Sequence, residues 1–499
     1  MKMHVLGAAL AAALSVFVSD AVNTRSGGMT GLGLASQAAA AVVIERADDG
    51  SLRRHIEARH ADDVIAMKTY RPGYEFWQTV FSTPDGSIAF GSALDGHTFA
   101  LLPTHLDWTR YGKWNDAALR SMLEDQQLPR SLDDRRDYVA ALFESVRGPV
   151  LHNPTRGTFV APGARRYGSF LDAWGAIYER FGVPAEIGLA QAMIESGFDG
   201  VRRSEAGAVG LCQWLARNWK YLDRIDPAVI EVNNQTTQAA YCGAYVSVLA
   251  TKYGSFVPAL SAHHAGETNV GRAIINGERL QGSTARERYF LGAQFARDLR
   301  TLAPDQYSDL YGSYGPRSYR YAEMVFGNTM TVHSIANETR QQKIYAMRTS
   351  RTTSLHDITK RSGISADEVR RFNPALVKRV PADATIYLPR YVESLGRDVA
   401  FWNKPASTAY ENVLNDFVRL DAPPAQWEHP SFDATLQAFE RRFRATRTPE
   451  GTIMATVIAY VRDENATSGR RTILAEFRSS EQIRELFEQA LQMRAALTN

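Results

Sequence analysis

The chain has 499 residues, with 57 Lys and Arg against 54 Asp and Glu. The resulting balance of +3 gives no electrostatic reason to expect nucleic acid as the main partner. A hydrophobic fraction of 44% can fill several cores and excludes a wholly disordered chain. At about 150 residues per domain the length points to roughly three domains, and two cysteines cannot make a Cys-rich zinc site or staple a miniprotein.

Residues 1–41 read as an export signal. Lys2 is a basic start, and Val5 to Val18 is an apolar run of about 14 residues, shorter than the roughly 20 that a spanning helix needs. Ser19-Asp20-Ala21 is a small-x-small cleavage candidate, and Ala38 to Ala41 is a second. An uncleaved membrane anchor is the competing reading. No cysteine near either site is available for lipid attachment. The expected location is the periplasm or cell envelope, with membrane association left open.

Residues 45–150 mix aromatic segments with turn signals, such as Tyr74-Glu75-Phe76-Trp77 and Pro84-Asp85-Gly86, and carry no readable chemistry. Within the region 151–310, residues 166–302 are strongly helical by pattern. In it, Pro184 and Glu186 suit the first turn of a helix. The helix then runs through Ile187, Leu189, Ala190, Met193 and Ile194, and Gly197 is its stop. Glu195 falls on the last turn beside that apolar stripe. The negative end of the helix dipole and apolar neighbours both disfavour its anion and raise its pKa, which suits a general acid working near neutral pH. The plain alternative is a solvated glutamate at a helix end.

The residues around Glu195 favour the first reading. Ile194-Glu195-Ser196-Gly197-Phe198-Asp199 is followed by Ser204-Glu205-Ala206-Gly207-Ala208-Val209-Gly210-Leu211-Cys212-Gln213-Trp214. Downstream, a helix over Gln235–Tyr253 precedes Ala259-Leu260-Ser261-Ala262-His263-His264-Ala265-Gly266. This order resembles the lytic transglycosylases of the lysozyme-like superfamily over roughly residues 166–302. The resemblance implies a mainly α-helical lysozyme-like catalytic domain in which Glu195 is the sole acid/base. It also implies that Ser196, Gln213, His263, His264 and Tyr289 contact the substrate. Cys212 replaces the family's usual methionine, and His263-His264 stand where it has tyrosine and asparagine. Neither a cofactor nor a metal is implied. Adjacent histidines on a helix point about 100° apart and rarely share an ion. Asp199 and Glu205 read as loop structure or solvated charge, because the family works with one carboxyl group. Cys212 and Cys242 either bridge in an oxidising compartment or stay as two buried thiols.

The cluster Tyr311-Gly312-Ser313-Tyr314-Gly315-Pro316 predicts a loop. Residues 343–390 then read as strand, helix, helix, strand, with Asn373-Pro374 and Leu388-Pro389 as punctuation. That order resembles the peptidoglycan-binding LysM module. The early Gly-Asp of that family is replaced by Thr352-Thr353, which leaves a purely structural remnant as the alternative. A transglycosylase domain followed by such a module is similar to the membrane-bound lytic murein transglycosylase D group. The tail 400–499 reads as a hairpin, Thr452 to Tyr460 and Arg471 to Phe477 about a turn at Asp463-Glu464-Asn465, followed by an amphipathic helix from Ser480 with Ile483, Leu486, Phe487 and Leu491 on one stripe.

The expected fold is thus α+β and multidomain: the helical catalytic domain, a small βααβ module and a C-terminal α/β tail. The expected activity is cleavage of the bond between N-acetylmuramic acid and N-acetylglucosamine, leaving 1,6-anhydro ends. A water-using lysozyme-like hydrolase and a catalytically weak wall-binding scaffold are the alternatives. The expected partners are peptidoglycan glycan strands, with cell-wall machinery proteins as further candidates.

Overall fold

The computed structural model describes residues 50–225, 232–312, 318–420 and 429–498. The segment read as an export signal, and Ser313 to Pro316 of the expected loop, lie outside them. The fold is mostly helical with small antiparallel sheets, an α+β chain. Among the described residues no helix is long and apolar enough to cross a membrane.

The N-terminal region holds a sheet of β1 (Ser87–Ser92), β2 (Thr98–Pro103), β3 (Lys113–Trp114) and β4 (Val150–Pro154), in the antiparallel order β3-β2-β1-β4. Successive strand residues point to opposite faces. Ile88, Phe90 and Leu102 therefore face a satellite core with Trp108 and Phe143. Ala89, Leu101 and Leu151 turn to the main core, which also takes Met67, Phe76 and Trp77 from the preceding helices.

The main core is built around the helix Gln235–Tyr253. Asn234 caps it by accepting from the backbone N–H of Thr236 and Thr237, and Gly254 ends it in the left-handed region at φ 65°. It is buried almost all round. Its small residues allow this: a Cβ at Gly243 would sit 3.2 Å from the Tyr178 ring. The helices Leu171–Arg180, Phe256–Ala265 and Pro449–Thr467 pack on it.

The expected strand-helix-helix-strand order is present at Tyr345–Thr349, Leu355–Ser362, Ala366–Phe372 and Thr385–Leu388. Ser354 and Ser365 cap the two helices. A further strand, Gly396–Asp398, pairs with the other edge of Tyr345–Thr349. Asn373 latches the closing strand, donating to the Tyr387 carbonyl at 2.6 Å and accepting from its N–H at 2.9 Å. The module docks on the central helices. Asn234 donates to the Phe372 carbonyl at 2.9 Å, and Phe372 packs on Phe170 at 4.5 Å between ring centroids.

The tail overturns the hairpin expected between residues 452 and 477. It is helical, with Thr408–Val418, Ser431–Ala445, Pro449–Thr467, Arg470–Ser479 and Glu481–Thr498. The expected turn Asp463-Glu464-Asn465 lies inside a helix. The physical reason is burial on every face. Met454 through Val461 are all buried against the central helix and its neighbours, so the sequence has no helical stripe to show, and β-branched residues imitate a strand. The last helix is as expected: Phe487 is buried, and Ile483, Leu486 and Leu491 pack half-buried on the core.

Candidate active site

Glu195 stands on the last turn of Ala185–Ser196, preceded by Pro184 and closed by Gly197 at φ 61°. Phe198 follows at φ 69°. Two successive left-handed residues turn the chain sharply, and for the bulky Phe198 that backbone is costly. Its buried ring, tilted against Trp174, holds it there. The chain returns through a small ribbon. Ala208–Val209 pairs with Trp214–Leu215, and Arg203 bridges to Val209. Gly210 lies at φ 87°, and a Cβ there would come within 2.2 Å of Gln238. Gln238 in turn accepts from the Leu211 N–H at 2.8 Å.

These elements form one side of a cleft of about 820 Å³. Glu195, Gln213, His263 and His264 line it, and the tail contributes Tyr460, Glu464 and Arg470. Glu195 is 14% exposed at its side chain. Burial raises its pKa to about 7, against the opposing pull of the Tyr321 hydroxyl, which donates to Oε1 at 2.5 Å. Burial first, and the adjacent Glu195 carboxylate next, push the Tyr321 hydroxyl well above its ordinary range, so it stays a donor. His264 stacks on Tyr321 with ring centroids 4.4 Å apart and planes 4° apart.

His263 Nε2 lies 2.9 Å from the Cys212 carbonyl and 3.7 Å from Glu195 Oε1. Burial and the neighbouring His264 lower its pKa to about 4 despite that carbonyl. At neutral pH the ring is therefore uncharged. Its Nε2–H donates to the carbonyl, and the contact with Glu195 is no ion pair. A neutral neighbour leaves the Glu195 carboxyl without a cation to draw off its proton. Cys212 itself is bridged to Cys242 of the central helix, so the disulfide pairing is the alternative that holds.

The expected substrate contacts divide. Gln213, half-buried at φ 49°, lines the cleft and donates from Nε2 to the carbonyls of Gly210 (2.9 Å) and Arg202 (3.2 Å). His263 and His264 also line it. Ser196 does not: it is 1% exposed, and its hydroxyl donates to the Ala192 and Leu211 carbonyls, tying the Glu195 helix to the returning ribbon. Tyr289 is likewise corrected. It is buried in the helix Ala285–Leu302 beside Phe290 and Arg71, because its face of that helix points into the core. Tyr321, from the helix Tyr321–Gly327, takes the position against Glu195 instead.

Other carboxylates at the cleft are differently placed. Burial would raise the Glu267 pKa, but Arg470 and Lys252 outweigh it, lower that pKa and hold the group ionised. Glu205 is exposed. Asp199 is not among the lining residues; its carboxylate accepts from the Val201 N–H at 3.0 Å. Asp63 was not readable from sequence. Wholly buried, it accepts from the Ser255 hydroxyl (2.6 Å) and the Phe256 N–H (2.7 Å) and pairs with Arg286. It thereby fixes the start of the helix that carries His263 and His264.

The arrangement can deliver one proton near neutral pH to a ligand in an open cleft and take it back. No protein-family model matches the chain, and no curated protein matches it.

Proposed function

We propose that the protein is an exported peptidoglycan lytic transglycosylase with Glu195 as its single general acid and base. One observation carries the reading. Glu195 is a carboxyl group held protonated up to about pH 7, inside a cleft, on the turn where the resemblance put it. The buried disulfide supports an oxidising compartment such as the periplasm.

Glu195 gives its proton to the oxygen bridging N-acetylmuramic acid and N-acetylglucosamine. The C1–O bond breaks through an oxocarbenium-like state. The Tyr321 hydroxyl donates to the carboxylate that forms, and neutral His263 adds no charge. The muramic acid C6 hydroxyl attacks its own C1, and its proton returns to Glu195. No water is consumed, and the internal attack gains from proximity. Two-carboxylate glycosidases need an ionised partner at defined separation from the acid. Glu267, the ionised buried carboxylate at this cleft, is engaged by Arg470 and Lys252.

The test is product analysis of digested sacculi by mass spectrometry, with wild type and Glu195→Gln. Anhydro-muropeptides from the wild type alone support the proposal. Reducing ends alone would reassign it to a hydrolase. Binding without release of soluble fragments, unchanged in Glu195→Gln, would make it a wall-binding scaffold.

A further inference from the structure

We propose that Arg202, Arg203 and Arg217 bind carboxylates of the peptide stems on the glycan strand, so that stem-bearing strands are the preferred substrate. This rests on the reading of the cleft as a peptidoglycan site. The chain is nearly neutral overall, yet these three arginines are exposed together on the cleft wall. Among the described residues none of them is engaged in an ion pair. The acids on the same cleft do not neutralise them: Glu267 is taken by Lys252 and Arg470, and Glu195 is protonated up to about pH 7. Only Glu205 and Glu464 remain.

The Arg202 guanidinium is also held in place, and the backbone positions of Arg203 and Arg217 are set by the ribbon and the helix after it. Arg202 lies over the Phe159 ring at 4.2 Å, a cation–π contact that fixes its head group. Its carbonyl accepts from the Gly210 N–H at 2.9 Å and from Gln213. Arg203 is bridged to Val209, and the Ser204 N–H donates to the Ala208 carbonyl at 3.0 Å. Arg217 is the second residue of the next helix, Ala216–Ile225, which directly follows the second ribbon strand. While the lactyl carboxyl of each muramic acid is amide-linked to its stem, the sugar backbone itself offers these groups nothing anionic. The peptide stems carry free carboxylates, and a planar fork of N–H donors is suited to them.

The experiment compares the full-length protein on purified strands that keep their stems and on the same strands after an amidase has removed them and the lactyl carboxyl groups so freed have been capped as methylamides. The wild type should show a kcat/KM higher on stem-bearing strands by about fivefold, the upper end of what one exposed charge pair contributes. Arg202→Gln with Arg203→Gln should lose most of that preference through KM. On stem-free strands the same variant should change by less than about twofold. The corresponding double Lys variant keeps the charge without the planar fork and should keep part of the preference, and added salt should erode it. Equal rates of the wild type on both strands, or an equal loss in the Gln variant on both, would overturn the proposal. If the wild type cleaves neither strand, the transglycosylase reading fails. Co-sedimentation then decides the arginine proposal: retention on stem-bearing strands lost in the Gln variant supports it, and equal retention on both overturns it.

Discussion

The Glu195→Gln variant should be more stable than the wild type, and only at higher pH. In the folded protein the carboxyl titrates at about 7 against an ordinary 4.5, with burial as the main cause. Each pH unit between these values corresponds to 1.36 kcal/mol, so ionising Glu195 in the fold costs about 3 kcal/mol. The sign follows from which state binds the proton. Below about pH 4.5 both folded and unfolded chains carry it, and the group has no effect on stability. Between 4.5 and about 7 the unfolded chain releases it first, and stability falls. Above 7 the whole cost is present. Glutamine has nearly the same shape, can accept from Tyr321, and never ionises. Urea unfolding of wild type and variant at pH 4.5 and pH 8 should therefore coincide at the acid end and differ by about 3 kcal/mol at the alkaline end. Activity should move the opposite way, falling by about 10²- to 10⁴-fold at all pH values. Equal stability of the two proteins at pH 8 would refute the perturbed carboxyl, whatever the activity showed.

Tyr321→Phe removes a hydrogen bond that favours the charged carboxylate, so the alkaline limb of the pH–rate profile should move up by about one pH unit while the maximal rate drops; an unmoved limb would detach Tyr321 from the acid. Asp63→Ala removes the buried acceptor of the Ser255 hydroxyl and the Phe256 N–H and leaves half-buried Arg286, among the described residues, with Asp62 alone as a carboxylate partner, at 3.9 Å, and should cost about 2–4 kcal/mol in urea unfolding; a loss below about 1 kcal/mol would contradict that role. The joint substitution Cys212→Ser and Cys242→Ser opens a loop with a sequence separation of 30 and should cost about 4 kcal/mol. Because the Cys212 carbonyl holds His263, the same variant should also move the alkaline limb of activity. A loss of stability with the limb unchanged would confine the bridge to a stabilising role.

What sequence could show was local. Pro184 and Gly197 bound a helix, and the place of Glu195 on its last turn follows from counting. The serine caps at 354 and 365 announce the two short helices of the module for the same reason. Tyr321 was out of reach because it is 126 residues from its partner in a chain with 21 tyrosines. Nothing in Ala285 to Phe290 marks the Tyr289 face of its helix as the inward one. The tail had a local cue that the apolar pattern obscured. Thr448-Pro449 is a cap followed by proline at the first helical position, and the Thr448 hydroxyl does accept from the Gly451 N–H at 3.0 Å. A segment buried on all sides has no period to read, so its caps carry the information that its side chains withhold.

On the proposed reading, the departures from the lytic transglycosylase pattern are connected through one backbone carbonyl. With histidine at 263, a titratable ring lies 3.7 Å from the Glu195 carboxyl. Protonated, that ring would draw the carboxyl toward its ordinary acidic range and remove the acid. Burial keeps the ring neutral, and the Cys212 carbonyl settles which nitrogen keeps the hydrogen. Cysteine at 212 ties that carbonyl to the central helix through Cys242. The same helix is covered by Pro449–Thr467, which supplies Tyr460 and Glu464 to the cleft. Arg470, just beyond, closes the Glu267–Lys252 pair. The tail therefore belongs to the electrostatics of the cleft. Without Arg470, Glu267 would have Lys252 alone as its cation, and burial already lowers the pKa of that lysine. A neutral Glu195 carboxyl and an ionised Glu267 carboxylate are thus kept apart in charge within one cleft by residues far apart in the chain.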